Sequence, residues 1–293
     1  MNLGFANSNP RTRRPRRPVR PPAAFTMVEI ALCLAVIGFA LVAIIGVLPT
    51  GLQVQRENRE ETIINQDAQI WLSALRDGSR GYDDLTNYVE AITNVITRYD
   101  MRGQLVSGPD VYGYTRTNCT LNGSVVTPAR VLTNGHNILG VLALPKYSYV
   151  PNVFAPSGYF SNHVAAYVRA LSGAASEKFP QDNPDVKDLA FTYRMVCEVT
   201  PYQNWDTNWI RFDLVNTNAP DGREEFIARS NYWAVARNQY ANLHEVRLLF
   251  RWPVRPGGRI GNGRQVFRAT TSGLLTNDAG WYFFTPRTYV RYQ

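Results

Sequence analysis

The sequence predicts an α+β protein: one long N-terminal helix followed by an antiparallel β-sheet domain. Three observations predict it. Ile30 to Leu48 runs without a single charged side chain. Apolar residues then recur at helical spacing as far as Leu75. Farther along, the period falls to two, most clearly in Val246–Trp252.

Composition agrees. The 293 residues are 45% hydrophobic and 18% charged, enough apolar material for a packed core. Global disorder and a collagen-like chain are excluded. Three cysteines are too few for a disulfide scaffold and lack zinc-ligand spacing. The net charge of +8 is local. Residues 1–24 hold six arginines and no acid, and beyond them 25 basic side chains face 23 acidic ones.

The first segment, 1–24, interleaves Arg11, Arg13, Arg14, Arg16, Arg17 and Arg20 with five prolines. Repeated proline removes amide donors and blocks a helix, so an extended, solvated leader is expected. The second segment, 25–48, is the membrane-crossing candidate. Its 19-residue charge-free run at about 1.5 Å per residue is roughly 28 Å of helix, close to the hydrocarbon thickness of a bilayer. The arginines precede this run. The positive-inside rule therefore puts residues 1–24 in the cytoplasm and the bulk of the chain across the membrane.

Glu29 is the anomaly. A carboxylate at the mouth of an apolar helix is costly and points to a partner. A cleaved secretory signal peptide fits poorly, because the run is long and ends in Leu48-Pro49-Thr50-Gly51 without a small-residue cleavage pattern. A plain signal anchor leaves Glu29 unexplained.

The third segment, 49–80, opens with Pro49 and Gly51, which should bend or loosen the helix at the membrane exit. Ile63, Ile64, Ala68, Trp71, Leu72 and Leu75 then form an apolar stripe. Arg56, Glu57, Arg59, Glu60 and Asp67 lie elsewhere. Gly78 and Gly81 supply the stop.

The remainder, 81–293, is the globular domain. Leu85, Tyr88, Val89, Ile92 and Ile96 share a helical face, so residues 84–98 are expected to be a helix. Residues 101–190 are rich in Gly, Pro, Asn and Tyr and read as short strands and long loops. Phe191–Val199 alternates, with Phe191, Tyr193, Met195, Cys197 and Val199 on one face. Trp209–Val215 alternates as well. Val246, Leu248, Phe250 and Trp252 are expected to point inward, with Arg247 and Arg251 outward. Asn262-Gly263 suits a two-residue turn joining a short strand near Arg259-Ile260 to Arg264–Thr270.

The stretch Ala24-Phe25-Thr26-Met27-Val28-Glu29, after a basic leader and before an apolar helix, resembles the cleavage site of type IV prepilins and type II secretion pseudopilins. The run Val47-Leu48-Pro49-Thr50-Gly51-Leu52 further resembles the Verru_Chthon cassette prepilin-like proteins. The likeness covers about residues 23–76. Ala24 stands where the family more often has Gly, and Pro49 lies a little beyond the family's usual helix-kinking proline.

The resemblance implies a pilin-like fold and a non-catalytic, structural role. A prepilin peptidase would cut between Ala24 and Phe25 and methylate the Phe25 amine. Glu29, fifth from the new N-terminus, would pair with the Phe25 amine of a neighbouring subunit during assembly into a type IV pilus or pseudopilus. The partners so implied are the peptidase, other pilin or pseudopilin subunits and inner-membrane lipid. The chain would cross the inner membrane once, with its domain periplasmic or extracellular. Major pseudopilins often bind calcium through an acidic C-terminal loop. Asp278 is the only acid here after Glu245, so a minor or atypical subunit is implied.

No other chemistry stands out. His136, His163 and His244 lack metal spacing and read as surface or loop residues, so no metal or cofactor is expected. No nucleophile elbow, phosphate loop or zinc-protease motif occurs, and an enzyme is not expected. Cys33 reads as a small apolar residue. Cys119 and Cys197 would lie outside the cytosol, where a disulfide between them is one option and free thiols the other. Arg247, Arg251, Arg255, Arg259, Arg264 and Arg268 cluster with Phe250, Trp252 and Phe267, and no acid lies between Val246 and Thr270. Such a hairpin could serve a DNA- or surface-binding minor pilin, holding DNA through phosphate contacts and stacking; the alternative is a solvated sheet face. Tyr202, Trp205 and Trp209 form an aromatic loop able to hold a glycan or cargo protein, or simply to complete the core rim.

Overall fold

Thr26 starts the first helix. Its Oγ1 accepts the Glu29 N–H at 3.3 Å and its carbonyl accepts the Ile30 N–H at 3.2 Å. A threonine followed three residues later by glutamate, ahead of an apolar run, is the pattern of a capping box. In the computed structural model, helix α1 then spans Met27–Asp77. The structure describes residues 25–78, 82–127, 131–149, 158–173, 191–203, 206, 209, 215–255 and 257–291. Two compact units result, Met1–Arg56 and Glu57–Gln293.

Within the first unit every described residue is solvent-exposed. Pro49 lies inside α1, and the helix continues through it without the break its ring invites. The Thr50 hydroxyl donates to the Val47 carbonyl at 2.7 Å in the same turn.

Within the second unit the last turns of α1 bury Ile63, Ile64, Ala68, Trp71, Ala74 and Leu75, the expected stripe, with Leu72 packed at its edge. Gly78 ends the helix at φ +75°, a left-handed conformation suited to glycine at a C-terminal cap. Asp67 departs from expectation: it is fully buried. Its carboxylate accepts the Leu171 and Ser172 amides, both at 2.8 Å. The Tyr193 hydroxyl also bonds to Asp67 and accepts the Trp71 indole N–H at 2.9 Å. The carboxylate therefore satisfies backbone donors and links helix to sheet.

A short 3₁₀ turn, Asp83–Asn87, precedes β1 (Val89–Tyr99). The helix expected over 84–98 is corrected to this turn plus a strand. Ile92 and Ile96 fit both periods, but the segment is rich in β-branched residues and pairs on both sides. The strands β2 (Leu105–Tyr114), β3 (Cys119–Leu121) and β4 (Ser124–Val125) follow. After them come helix α2 (Gly135–Leu142), β5 (Tyr147–Tyr149) and β6 (Tyr159–Arg169). Among its described residues, the region read as short strands and long loops holds three short strands, and also a helix and two long strands.

The chain continues with β7 (Thr192–Pro201), helix α3 (Gly222–Asn242), β8 (Leu243–Val254) and β9 (Ile260–Ser272). The hairpin β10 (Leu274–Asp278) and β11 (Trp281–Thr285) completes it. The main sheet has the order β4-β3-β2-β1-β6-β7-β8-β9, with β5 paired to β6, and every strand pair is antiparallel. The α+β expectation holds at this level.

The inward set Val246, Leu248, Phe250 and Trp252 is buried as expected, facing the same core as Tyr193, Met195, Cys197 and Val199. Asn262 and Gly263 do not form a turn. They lie inside β9, which is continuous from Ile260, and the reversal is made upstream, where the Arg255 N–H donates to the Arg259 carbonyl at 2.8 Å. Gly263 sits over the Trp252 indole, where a Cβ would lie 2.5 Å from the ring. That close approach, and not a turn, is its role. Trp209 lies in a turn, and most of the strand expected over 209–215 falls outside the described residues.

Candidate functional site

Two surfaces carry the residues singled out in the sequence. The first is the start of α1. Phe25 is 74% exposed, and Ala24 lies outside the described residues. Glu29 stands in the first helical turn, where the positive end of the helix favours a carboxylate. No ion pair to Glu29 occurs among the described residues. One 18-residue window of α1 reaches a mean hydropathy of 3.0 and is wholly unburied, so this helix is long and apolar enough to cross a membrane.

The second is the face of the sheet opposite α1. Strand pairing sets Arg247 against Arg268 and Arg251 against Arg264 on β8 and β9. On the other side β7 sets Glu198 against Arg247 and Arg194 against Arg251. Two rows cross the sheet as a result. One runs Lys146, Glu198, Arg247, Arg268. Here Glu198 bonds Lys146 Nζ at 3.1 Å and Arg247 Nη1 at 3.4 Å, while Arg268 Nε lies 3.9 Å from Glu245. The other row runs Arg194, Arg251, Arg264, with no acid in register. Arg255 and Arg259 flank the reversal between the strands and are exposed. Of the six arginines expected to cluster, four pair across strands and two sit at the turn. Arg194 was missed because it lies far away in sequence; its polar position in the alternating Phe191–Val199 stretch was the available signal.

The cysteine pair does not form. Cys33, Cys119 and Cys197 are all free thiols. Cys119 on β3 and Cys197 on β7 are four strand positions apart, about 19 Å across the sheet at some 4.8 Å per strand, whereas a disulfide needs Cα atoms within about 7 Å. Burial pushes the Cys197 thiol up to about 12, so it is unreactive in the folded chain.

The histidines also separate. His136 stacks on Phe283 at 4.0 Å between ring centres, and His163 is exposed on β6. His244 is corrected from surface to core: it is buried on β8 against Phe284, and burial lowers its pKa to about 4. No group of three potential metal ligands occurs among the described residues.

Of the aromatic loop, Trp209 lies edge-on to Tyr232 of α3 and beneath the Arg229 guanidinium. Trp205 lies outside the described residues. Tyr202 instead lines a separate cavity.

No family model, curated protein or solved structure matches this chain.

Proposed function

We propose that this chain is a structural, pilin-like subunit, processed at Ala24–Phe25 and assembled through its N-terminal helix. The observation that carries the reading is the join of Ala24-Phe25-Thr26-Met27-Val28-Glu29 to a helix whose described residues stay exposed as far as Arg59. An apolar stripe that the folded chain leaves uncovered needs lipid before assembly and other subunits after it. Cleavage before Phe25 frees an α-amine one helical turn from Glu29. In a low-dielectric bundle, an unpaired carboxylate is unfavourable, and a neighbouring subunit's amine removes that cost and sets the register. The basic leader orients the chain with its domain outside the cytoplasm. The second unit is an α+β body with an antiparallel sheet, which is compatible with this role. On this reading the protein is the peptidase's substrate and carries out no catalysis itself.

The test is the intact mass and N-terminal sequence of the chain recovered from membranes, with and without a co-expressed prepilin peptidase. A chain starting at N-methylated Phe25 supports the proposal. A chain retaining residues 1–24 under both conditions reduces it to a simple membrane anchor.

A second reading is a minor pilin that binds DNA through the arginine rows. Cross-strand pairs of like charge are destabilising by themselves, which favours a row that meets an anion. A gel shift with a short duplex at low salt tests it. Loss of the shift in Arg251→Ala and Arg264→Ala is expected, together with a steep decline as salt rises. No shift at low salt ends it.

A further inference from the structure

The sheet forks at β6. From Val164 to Arg169 this strand pairs with β7, but from Tyr159 to Ser161 it pairs with β5. Beyond the fork β7 runs on to Pro201 with β8 as its partner. The Lys146 N–H bonds the Val199 carbonyl at 2.7 Å and its own carbonyl accepts the Asn162 N–H at 2.8 Å, which seals the base of the fork. Between the diverging strands lies a cavity of about 510 Å³. That size is within the usual range for small-ligand pockets.

Its lining is rich in tyrosine, with Thr200, Gln203 and Glu245 as the other polar groups. Tyr147, Tyr149 and Tyr159 come from the β5–β6 pair, Tyr240 from the end of α3, and Thr200 and Glu245 from adjacent positions on β7 and β8. Tyr147 and Tyr159 meet edge to face at 5.7 Å, and Tyr99 stacks behind Tyr159 at 5.4 Å, holding the cluster in place. Tyr149 and Tyr240 are hydrogen-bonded through their hydroxyls. Tyr147 and Tyr149 are nonetheless 47% and 55% exposed. Large aromatic side chains held in place yet half open to solvent are characteristic of recognition sites.

The charges decide what fits. An apolar ligand would cover the Thr200 hydroxyl and the Glu245 carboxylate, both of which line the cavity, and offer them no hydrogen bond in exchange for water. A cationic ligand competes with the protein's own cations: Lys146 Nζ is 5.8 Å from the Tyr147 ring centre, and Arg268 Nε is 3.9 Å from Glu245. An anion meets the Glu245 carboxylate. A neutral, polyhydroxylated ring compound meets none of these objections. Its C–H faces stack on tyrosine rings, and its hydroxyls bond to Thr200, Glu245 and the phenols.

We infer that the fork between β5–β6 and β7–β8 is a carbohydrate-binding site for a short neutral oligosaccharide. The inference rests on the cavity alone and is independent of how the N-terminus is processed. The test applies the full chain, in a polyoxyethylene-ether detergent free of sugar head groups, to an array of neutral glucan, chitin and galactan oligosaccharides. The best binder is then titrated by calorimetry, with tetramethylammonium chloride as the competing probe. Binding to at least one neutral oligosaccharide is expected. Tyr147→Ala and Tyr149→Ala should each weaken it about tenfold, the scale of one lost aromatic contact. Both side chains are exposed, so unchanged thermal melting checks that the fold is intact. Arg264→Ala, in the distant arginine row, should leave binding unchanged. Failure of every neutral oligosaccharide to bind overturns the inference. So does a preference for tetramethylammonium, or affinity that both tyrosine variants leave intact.

Discussion

Asp67 accepts two backbone amides from the segment after β6 and is bonded to Tyr193, all within the core. Truncation strands those donors and leaves a void. Asp67→Ala should therefore cost about 3 kcal/mol or more, seen as a lower midpoint in chemical unfolding of the full chain in detergent. His244 governs a pH effect. It is buried neutral with a pKa near 4 in the folded state, against about 6.5 unfolded. Between those values the unfolded chain binds the extra proton. The contribution is therefore fully present above pH 6.5 and is lost as pH falls towards 4, by about 3 kcal/mol in all. Burial raises the Asp67 pKa, and this acts in the opposite sense at the acid end. The clean measurement is the difference between wild type and His244→Phe at several pH values. The variant should lose the His244-dependent decline; parallel curves would refute the assignment.

At the scale of elements, the arginine row across β7, β8 and β9 is a strain that one change can relieve. Arg264 faces Arg251 directly. Arg264→Glu should convert that repulsion to attraction and stabilise the sheet by about 0.5 kcal/mol, less at high salt. Thermal melting at two ionic strengths would reveal it. The same scale shows where sequence reading succeeded and failed. Val246–Trp252 was legible because strict alternation admits only a half-buried strand. Residues 89–99 were misread because isoleucines four apart satisfy helix and strand alike, and only pairing with β2 and β6 decides. Asn262-Gly263 has the composition of a turn, yet the indole of Trp252 needs a glycine beside it in a continuous strand. Helix α3 gave no periodic signal, because only Gly222 and Ala236 of its residues are buried.

For the whole molecule, the two units make separable predictions. Residues 25–56 bury nothing in the folded chain. A chain beginning at Glu57 should therefore leave the membrane fraction and keep a cooperative melt close to that of the full protein. The full chain should resist alkaline extraction from membranes and yield only to detergent. If the chain assembles as proposed, Glu29→Ala should leave membrane insertion intact while abolishing copurification of subunits. Retained copurification would show that the carboxylate serves the helix start alone.

The sequence by itself determined the apolar helix, its stripe as far as Leu75, the candidate processing motif and the inward face of β8. Each is a local property, written in a period of 3.6 or 2 or in a run of adjacent residues. Tertiary structure alone decided the rest. It separated Cys119 from Cys197 by four strands, buried Asp67 and His244, brought Arg194 into line with Arg251 and Arg264, and gathered the tyrosines of β5, β6 and α3 around one fork. Those outcomes depend on strand order and register, which join residues distant along the chain and leave no mark on the periodicity of any one segment.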